Sequence, residues 1–184
     1  VQFAVMGEVY ARNELGLSQP SVGILNVGVE GLKGNDSVRD AAAILKNSDL
    51  PLEFYGFIEG DDIGKGTVDV IVTDGFTGNI ALKTAEGTAQ MIVYFLKDAL
   101  KSSILSKAGA LLARPAIEKF RSHFDPRRYN GALLLGLNGI CVKSHGGTDE
   151  VGFAHAIQVG VNLVRRDLNE LIKEDIASVM TEPS

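Results

Sequence analysis

The sequence has no tryptophan, one cysteine, five prolines and three histidines, and each scarcity removes a class of protein. A lone cysteine, Cys141, excludes an internal disulfide framework. Its place in the apolar run Gly139-Ile140-Cys141-Val142 predicts a buried thiol rather than a nucleophile, and a reducing cytosol fits. A basic excess is also lacking: the net charge of −5 argues against a nucleic-acid partner. No apolar run approaches the ~18 residues needed to span a bilayer, and no signal-peptide pattern is visible. Gly-x-Ser-x-Gly and Walker A sequences do not occur, and no spacing of His, Cys or carboxylates fits a metal centre. The expectation is therefore no metal and no cofactor, with the acidic stretch Glu59-Gly60-Asp61-Asp62 read as a solvated turn.

What is present is glycine, 21 residues in a chain of 184 that is 45% hydrophobic and 22% charged. The length suits one domain with a sizeable core. Many glycines fall where an apolar run stops and a helical pattern starts, as in α/β loops that approach ligands. Val1, Val5, Met6, Val9 and Tyr10 sit at helical spacing, with Gly16 as a stop. The chain thus opens inside a helical pattern without a cap, and the expectation is a C-terminal part whose upstream region is absent.

Residues 21–27 predict a buried parallel strand, and Asp36 to Lys46 a crossover helix capped by Asn35 or Asp36, with Val38, Ala42 and Leu45 on one face. Strands are expected over 52–58 and 68–73, joined by a polar loop from Glu59 to Gly66. A helical pattern continues from Asn79 to about Lys107, then from Ala110 to Phe124, with Pro115 bending or restarting it. Short strands are expected over 132–135 and 140–142, and one last helix from about Thr148 to Val179. The fold class that follows is α/β, a mainly parallel sheet flanked by helices, with its ligand site beyond the carboxyl ends of the strands.

Three segments after strand ends could carry chemistry. The first, Asn26 to Asn35, offers Gly28, Gly34, Lys33 and two asparagines; it reads equally as a surface loop or a ligand loop. The second is Asp74-Gly75-Phe76-Thr77-Gly78-Asn79 at a strand-to-helix junction. It reads either as a tight turn capped by Asp74 or Thr77, or as an anion site on the unpaired N–H groups of a helix start. Gly75, Gly78, the Thr77 hydroxyl and Lys83 one turn later favour the anion site. In the third, Lys143-Ser144-His145-Gly146-Gly147, the histidine is placed between a site role and a structural one. His123 and His155 lack such company and are read as structural.

The order of motifs resembles a known family. Phe3-Ala4-Val5-Met6-Gly7, Gly23 to Gly28, Gly31-Leu32-Lys33-Gly34-Asn35, Val68 to Asn79, Tyr129-Asn130-Gly131-Ala132, Leu135 to Gly139 and Lys143-Ser144-His145-Gly146 resemble the C-terminal half of PlsX, the phosphate:acyl-carrier-protein acyltransferases. The resemblance covers nearly the whole chain and weakens after about Asn162. It implies conversion of acyl-[acyl-carrier protein] and inorganic phosphate to acyl phosphate, a homodimer, and a sheet like that of the isocitrate/isopropylmalate dehydrogenases and phosphotransacetylases. The family's upstream Ala-Met-Gly-Gly-Asp segment is absent. On this reading Lys83, His145 and Lys33 are the catalytic candidates. Asn26, Gly28, Gly34, Asn35, Asp74, Gly75, Thr77, Gly78, Asn79, Ser144 and Gly146 are expected to hold substrate.

Charge is unevenly placed. Residues 97–128 carry eight basic and three acidic side chains, a net +5, which leaves −10 for the rest. Leu100, Ile104, Leu105, Leu111, Leu112, Ile117 and Phe120 lie between the cations, with a bend expected at Ala108-Gly109-Ala110. An amphipathic hairpin of this kind suits an anionic bilayer surface, a dimer contact or the acidic carrier protein.

Overall fold

In the computed structural model, which describes residues 1–48, 50, 52–123 and 126–180, the first helix is α1 (Gln2–Glu14). Gly16 follows at φ 71, the left-handed stop that the pattern predicts. Strand β1 (Ser21–Leu25) leads to α2 (Asp36–Asn47), capped by the Asn35 side chain, which accepts the Val38 N–H at 2.9 Å. Strands β2 (Glu53–Ile58) and β3 (Val70–Val72) complete a three-stranded parallel sheet in the order β2-β1-β3. The α/β class with a parallel sheet flanked by helices is therefore present.

Two apolar clusters hold this part together. Ala4, Val22, Ile24 and Leu45 join α1 and α2 to the sheet. Val5, Met6 and Val9 on the neighbouring face of α1 pack against Val159, Leu163, Leu168 and Ile172 from the C-terminal helices. The single helix α1 thus bonds to both the sheet and the end of the chain. Gly7 makes this close packing feasible, because a Cβ there would stand 2.6 Å from Val70 Cγ1.

Several expectations are corrected. The segment from Glu59 to Gly66 is not a loop but carries α3 (Gly60–Lys65). Asp62 accepts the Glu59 N–H at 3.0 Å, Lys65 pairs with Asp61 at 2.6 Å, and Gly66 closes the helix at φ 67. The next helix, α4 (Gly75–Lys101), starts at the glycine after Asp74, so Gly75 to Asn79 form its first turn and not a preceding loop. The bend expected at Ala108-Gly109-Ala110 occurs earlier, at Ser102 and Ser103. The Ser103 side chain caps α5 (Ile104–Leu112) by accepting the Ser106 N–H at 3.0 Å, and residues 108–110 lie inside that helix. Pro115 restarts the chain as the second residue of α6 (Arg114–His123). Phe124 and Asp125, at the end of the expected helical piece, lie outside the described residues, as does the side chain of His123.

Strands β4 (Ala132–Leu133) and β5 (Val142–Lys143) pair antiparallel in a separate two-stranded sheet, so they do not extend the parallel one. Cys141, expected to be buried, is exposed just before β5. Its carbonyl accepts the Leu134 N–H at 2.9 Å while its side chain faces outward. The last helix is two helices, α7 (Glu150–Arg165) and α8 (Leu168–Met180), because Asp167 turns at φ 51. Among the described residues no helix is long and apolar enough to cross a membrane.

Candidate functional site

The strand order defines the switch point of the parallel sheet. From central β1 the chain passes to β2 on one side and then returns to β3 on the other, so the topological switch point, where sheets of this kind form a ligand crevice, lies between the carboxyl ends of β1 and β3. The segment Asn26 to Asn35 and the Asp74 turn both leave that edge. Two of the three sequence-predicted segments therefore flank the topological switch point.

The first segment is held from within. Asn26 donates from Nδ2 to the carbonyls of Gly28 at 3.0 Å and Lys33 at 3.1 Å, closing the loop on itself. Gly34 runs at φ 89, and a Cβ there would stand 2.2 Å from Asn26 Oδ1; the two residues fit only as they are. Asn35 spends its side chain on the α2 cap. Arg39, which sequence reasoning passed over, reaches back to the carbonyls of Leu32 and Gly34 at 3.3 Å and also pairs with Asp36. Asn26, Asn35 and Arg39 shape the loop; Lys33 joins it through its backbone, its N–H donating to the Glu30 carbonyl at 2.9 Å, and its side chain is exposed.

The second segment is a capped helix start. Asp74 Oδ1 accepts the N–H groups of Phe76 and Thr77, both at 2.9 Å, and Oδ2 accepts the Thr77 hydroxyl at 2.5 Å. The Thr77 hydroxyl first, and then these backbone donors, hold the Asp74 carboxyl below the usual aspartate range. An incoming anion thus competes with an anion already in place, and must displace Asp74 or use the Gly75 N–H and the Asn79 amide. Gly75 is open to solvent, with nothing near its absent Cβ, whereas Gly78 serves packing, since a Cβ there would meet Thr73 Cγ2 at 2.7 Å. Lys83, exposed on the next turn, pairs with Glu86 at 2.8 Å.

The third segment hangs on Asn130, whose side chain is buried at 6% exposure. Asn130 Oδ1 accepts the His145 N–H at 2.8 Å, and Nδ2 donates to Ser144 Oγ at 2.9 Å and to the Gly152 carbonyl at 2.7 Å. Gly147 in turn donates its N–H to His145 Nδ1 at 3.2 Å. In the neutral ring this places the proton on Nε2, the nitrogen left for a substrate. Asp149 caps α7 by accepting the Gly152 N–H at 3.0 Å, the main reason its carboxyl lies below the usual range, and also meets Arg127 at 3.4 Å. His155, read as structural, bonds the Asn130 carbonyl through Nδ1 at 2.9 Å.

Glu86 is held below the usual glutamate range first by the hydrogen bond from Lys83, and His145 adds to the same effect through its charge. Lys33 lies on the segment that follows β1. Among the described residues no group of three His, Cys, Asp or Glu side chains is arranged to hold a metal ion.

Comparison with known proteins gives the family of the chain. A family model described as fatty acid synthesis protein matches residues 1–171. A phosphate acyltransferase of Rhodospirillum rubrum is 59% identical over 184 residues, 100% of this chain and 53% of that protein. Those of Paramagnetospirillum magneticum and Rhodospirillum centenum are 63% identical over 175 residues and 61% over 177, covering 95% and 96% of this chain and 50% of each relative. The chain spans about half the length of the curated relatives it matches.

Proposed function

The chain belongs to the fatty acid synthesis protein family, the PlsX phosphate acyltransferases, and from that premise we propose that it transfers the acyl group of acyl-[acyl-carrier protein] to inorganic phosphate for phospholipid synthesis. A phosphate oxygen attacks the thioester carbonyl carbon and forms the new C–O bond. The carbonyl electron pair moves onto oxygen, then returns as the C–S bond breaks, and the carrier thiolate takes a proton. Phosphate at neutral pH is already an anionic nucleophile, so the protein needs no serine or cysteine nucleophile. It must neutralise charge, orient phosphate against the carbonyl, and stabilise the oxyanion.

The observation that carries this reading is the helix start after β3, where the Asp74 cap, the solvent-open Gly75 and, further along the same helix, exposed Lys83 fall together. Lys83 with Gly75, Thr77, Gly78 and Asn79 binds phosphate, and His145, through Nε2–H, serves the carbonyl oxygen or the leaving thiolate. Lys33 approaches from the other side of the crevice, and Gly28, Gly34, Ser144 and Gly146 keep the backbone close to substrate. The chain acts as the C-terminal part of the enzyme, and as a homodimer, for which the exposed Met91, Tyr94 and Phe95 of α4 provide apolar surface. The decisive comparison is carrier-protein dependence: transfer from the carrier thioester but not from the coenzyme A thioester supports it, and the reverse preference supports a phosphotransacetylase.

A second reading is favoured by α5. Ile104, Leu105, Leu111 and Leu112 are 87%, 83%, 71% and 85% exposed within the segment of net positive charge. Apolar side chains flanked by lysine and arginine suit an anionic bilayer surface, so the protein works in the cytoplasm and docks peripherally on the inner face of the membrane.

A further inference from the structure

Helix α4 begins at the candidate phosphate turn and runs on to Lys101, and the phosphate chemistry uses only its first turns. Thr77 and Gly78 stand in the first turn, and Ala81 follows them at i+4 and i+3, on the same face. From Ala81 that face continues through Ala85 and Ala89 to Ile92, and it lines a cleft of about 630 Å³ to which α3 contributes Ile63 and α6 contributes Phe120. The volume is that of a small-molecule site, ~300–1,000 Å³. Asp61 is the one charged residue of the lining, and Lys65 engages it at 2.6 Å. Apart from the hydroxyls of Thr84 and Thr88, the side chains that remain are apolar, so an occupant is held there by burial of its own apolar surface. The cleft is also long. Between Ala81 and Val93 the helix rises ~18 Å, and one acyl chain of a bilayer leaflet reaches ~15 Å, half of the ~30 Å hydrocarbon core.

We infer that this cleft seats the acyl chain of the substrate, and that Ala81, Ala85 and Ala89 determine the chain length it accepts. The reacting end lies at the Thr77 turn, and the chain runs along α4 towards Ile92. The inference rests on the phosphate acyltransferase reading and deepens it by giving chain length a place in the fold. An anion turn alone would take a short acyl group as readily as a long one. Each methylene seated on the apolar wall, by contrast, tightens binding by up to about fourfold. The three alanines follow one another at ~6 Å along the helix axis, so a larger side chain at each one shortens the seat by a different amount.

The probes are alkyl phosphates from butyl to hexadecyl, kept below their micelle concentrations, with binding followed by calorimetry. Transfer from carrier thioesters of matching lengths is measured alongside. Wild-type affinity is expected to climb with each carbon until the cleft is filled. Ala89→Leu lowers the affinity for hexadecyl phosphate on the order of tenfold and leaves that for butyl phosphate unchanged. Ala81→Leu moves the cut-off further, so that octyl phosphate is weakened as well. Gly87→Leu, on the far face of α4 where an added Cβ meets nothing within 4 Å, leaves the whole profile as it was. Affinity indifferent to chain length, one cut-off shared by Ala81→Leu and Ala89→Leu, or a moved cut-off in Gly87→Leu would overturn the inference. Occupation of the cleft by a second copy of the chain also overturns it, and shows as leucine variants that change the oligomeric state in sedimentation but not the chain-length profile. If both leucine variants fail to fold, hexadecyl phosphate bearing a diazirine at its methyl end is photocrosslinked to the wild type. Labelling of Ala89, Ile92 or Phe120 supports the inference, and labelling elsewhere overturns it. Cut-offs that move in binding, in a chain that transfers no acyl group, sink the function reading and leave this inference standing. Acyl transfer with one chain-length preference in all variants does the reverse.

Discussion

The Asp74 carboxylate holds the Thr77 hydroxyl at 2.5 Å, and on its other oxygen the Thr77 N–H at 2.9 Å. The residue pair that marks the candidate phosphate site is thus also a complete helix cap. Every donor that Thr77 has for an anion is engaged, so phosphate and Asp74 are alternatives at this turn.

A pH dependence follows from that cap. Hydrogen bonds, the Thr77 hydroxyl first, lower the Asp74 pKa in the folded chain below the ordinary aspartate value of 3.8. The stability it contributes is fully present above that value and is lost as pH falls through the lower, folded one. Asp74→Ala is expected to lower Tm at pH 7, and the gap from wild type to close as pH drops below 3.8. Thermal melts from pH 7 downward check this; a constant gap would show that the cap is not ionised.

Lys83→Ala separates binding from stability. Its partner Glu86 lies on the same exposed helix face, and a solvated pair of this kind adds little to folding. Tm is expected to stay nearly constant while the phosphate KM rises by about tenfold or more, the value of a charge-assisted contact. Steady-state kinetics with varied phosphate, beside a melt, reads both; an unchanged KM removes Lys83 from the site.

The opposite pattern is expected for Leu163→Ala. Leu163 is fully buried where α7 meets α1, and emptying such a position costs about 2–5 kcal/mol. Denaturant titration should show that loss, with phosphate KM unaltered in the folded fraction. A smaller cost would mean that α1 and the C-terminal helices are loosely packed.

For α5, sedimentation with vesicles tests the membrane reading. Wild type is expected to pellet with vesicles containing anionic lipid and to release as salt rises, while Leu111→Glu/Leu112→Glu stays in solution. Equal pelleting of the two proteins rules out this surface.

Which features were legible in the sequence depends on how local their causes are. The Asn35 cap, the Gly16 stop and the apolar face of α2 are set by neighbours within a turn, and each appears where the pattern puts it. Helix α3 was equally local, with acids in its first turn and Lys65 four residues after Asp61, but three glycines between 60 and 66 outweighed that signal. Asn130 was visible only as part of a family motif. Its partners lie 14 to 25 residues downstream, and no periodicity connects such positions. The separate pairing of β4 with β5 is also a tertiary outcome, since two-residue strands carry almost no alternation to read.

The most direct measurement of the central claim is phosphorus NMR of this chain incubated with acyl-[acyl-carrier protein] and inorganic phosphate. The account predicts a new acyl phosphate signal that grows as the carrier thiol is released, one for one, and that is strongly reduced in Lys83→Ala and His145→Ala. Thiol release without acyl phosphate, or an undiminished signal in both variants, would contradict it.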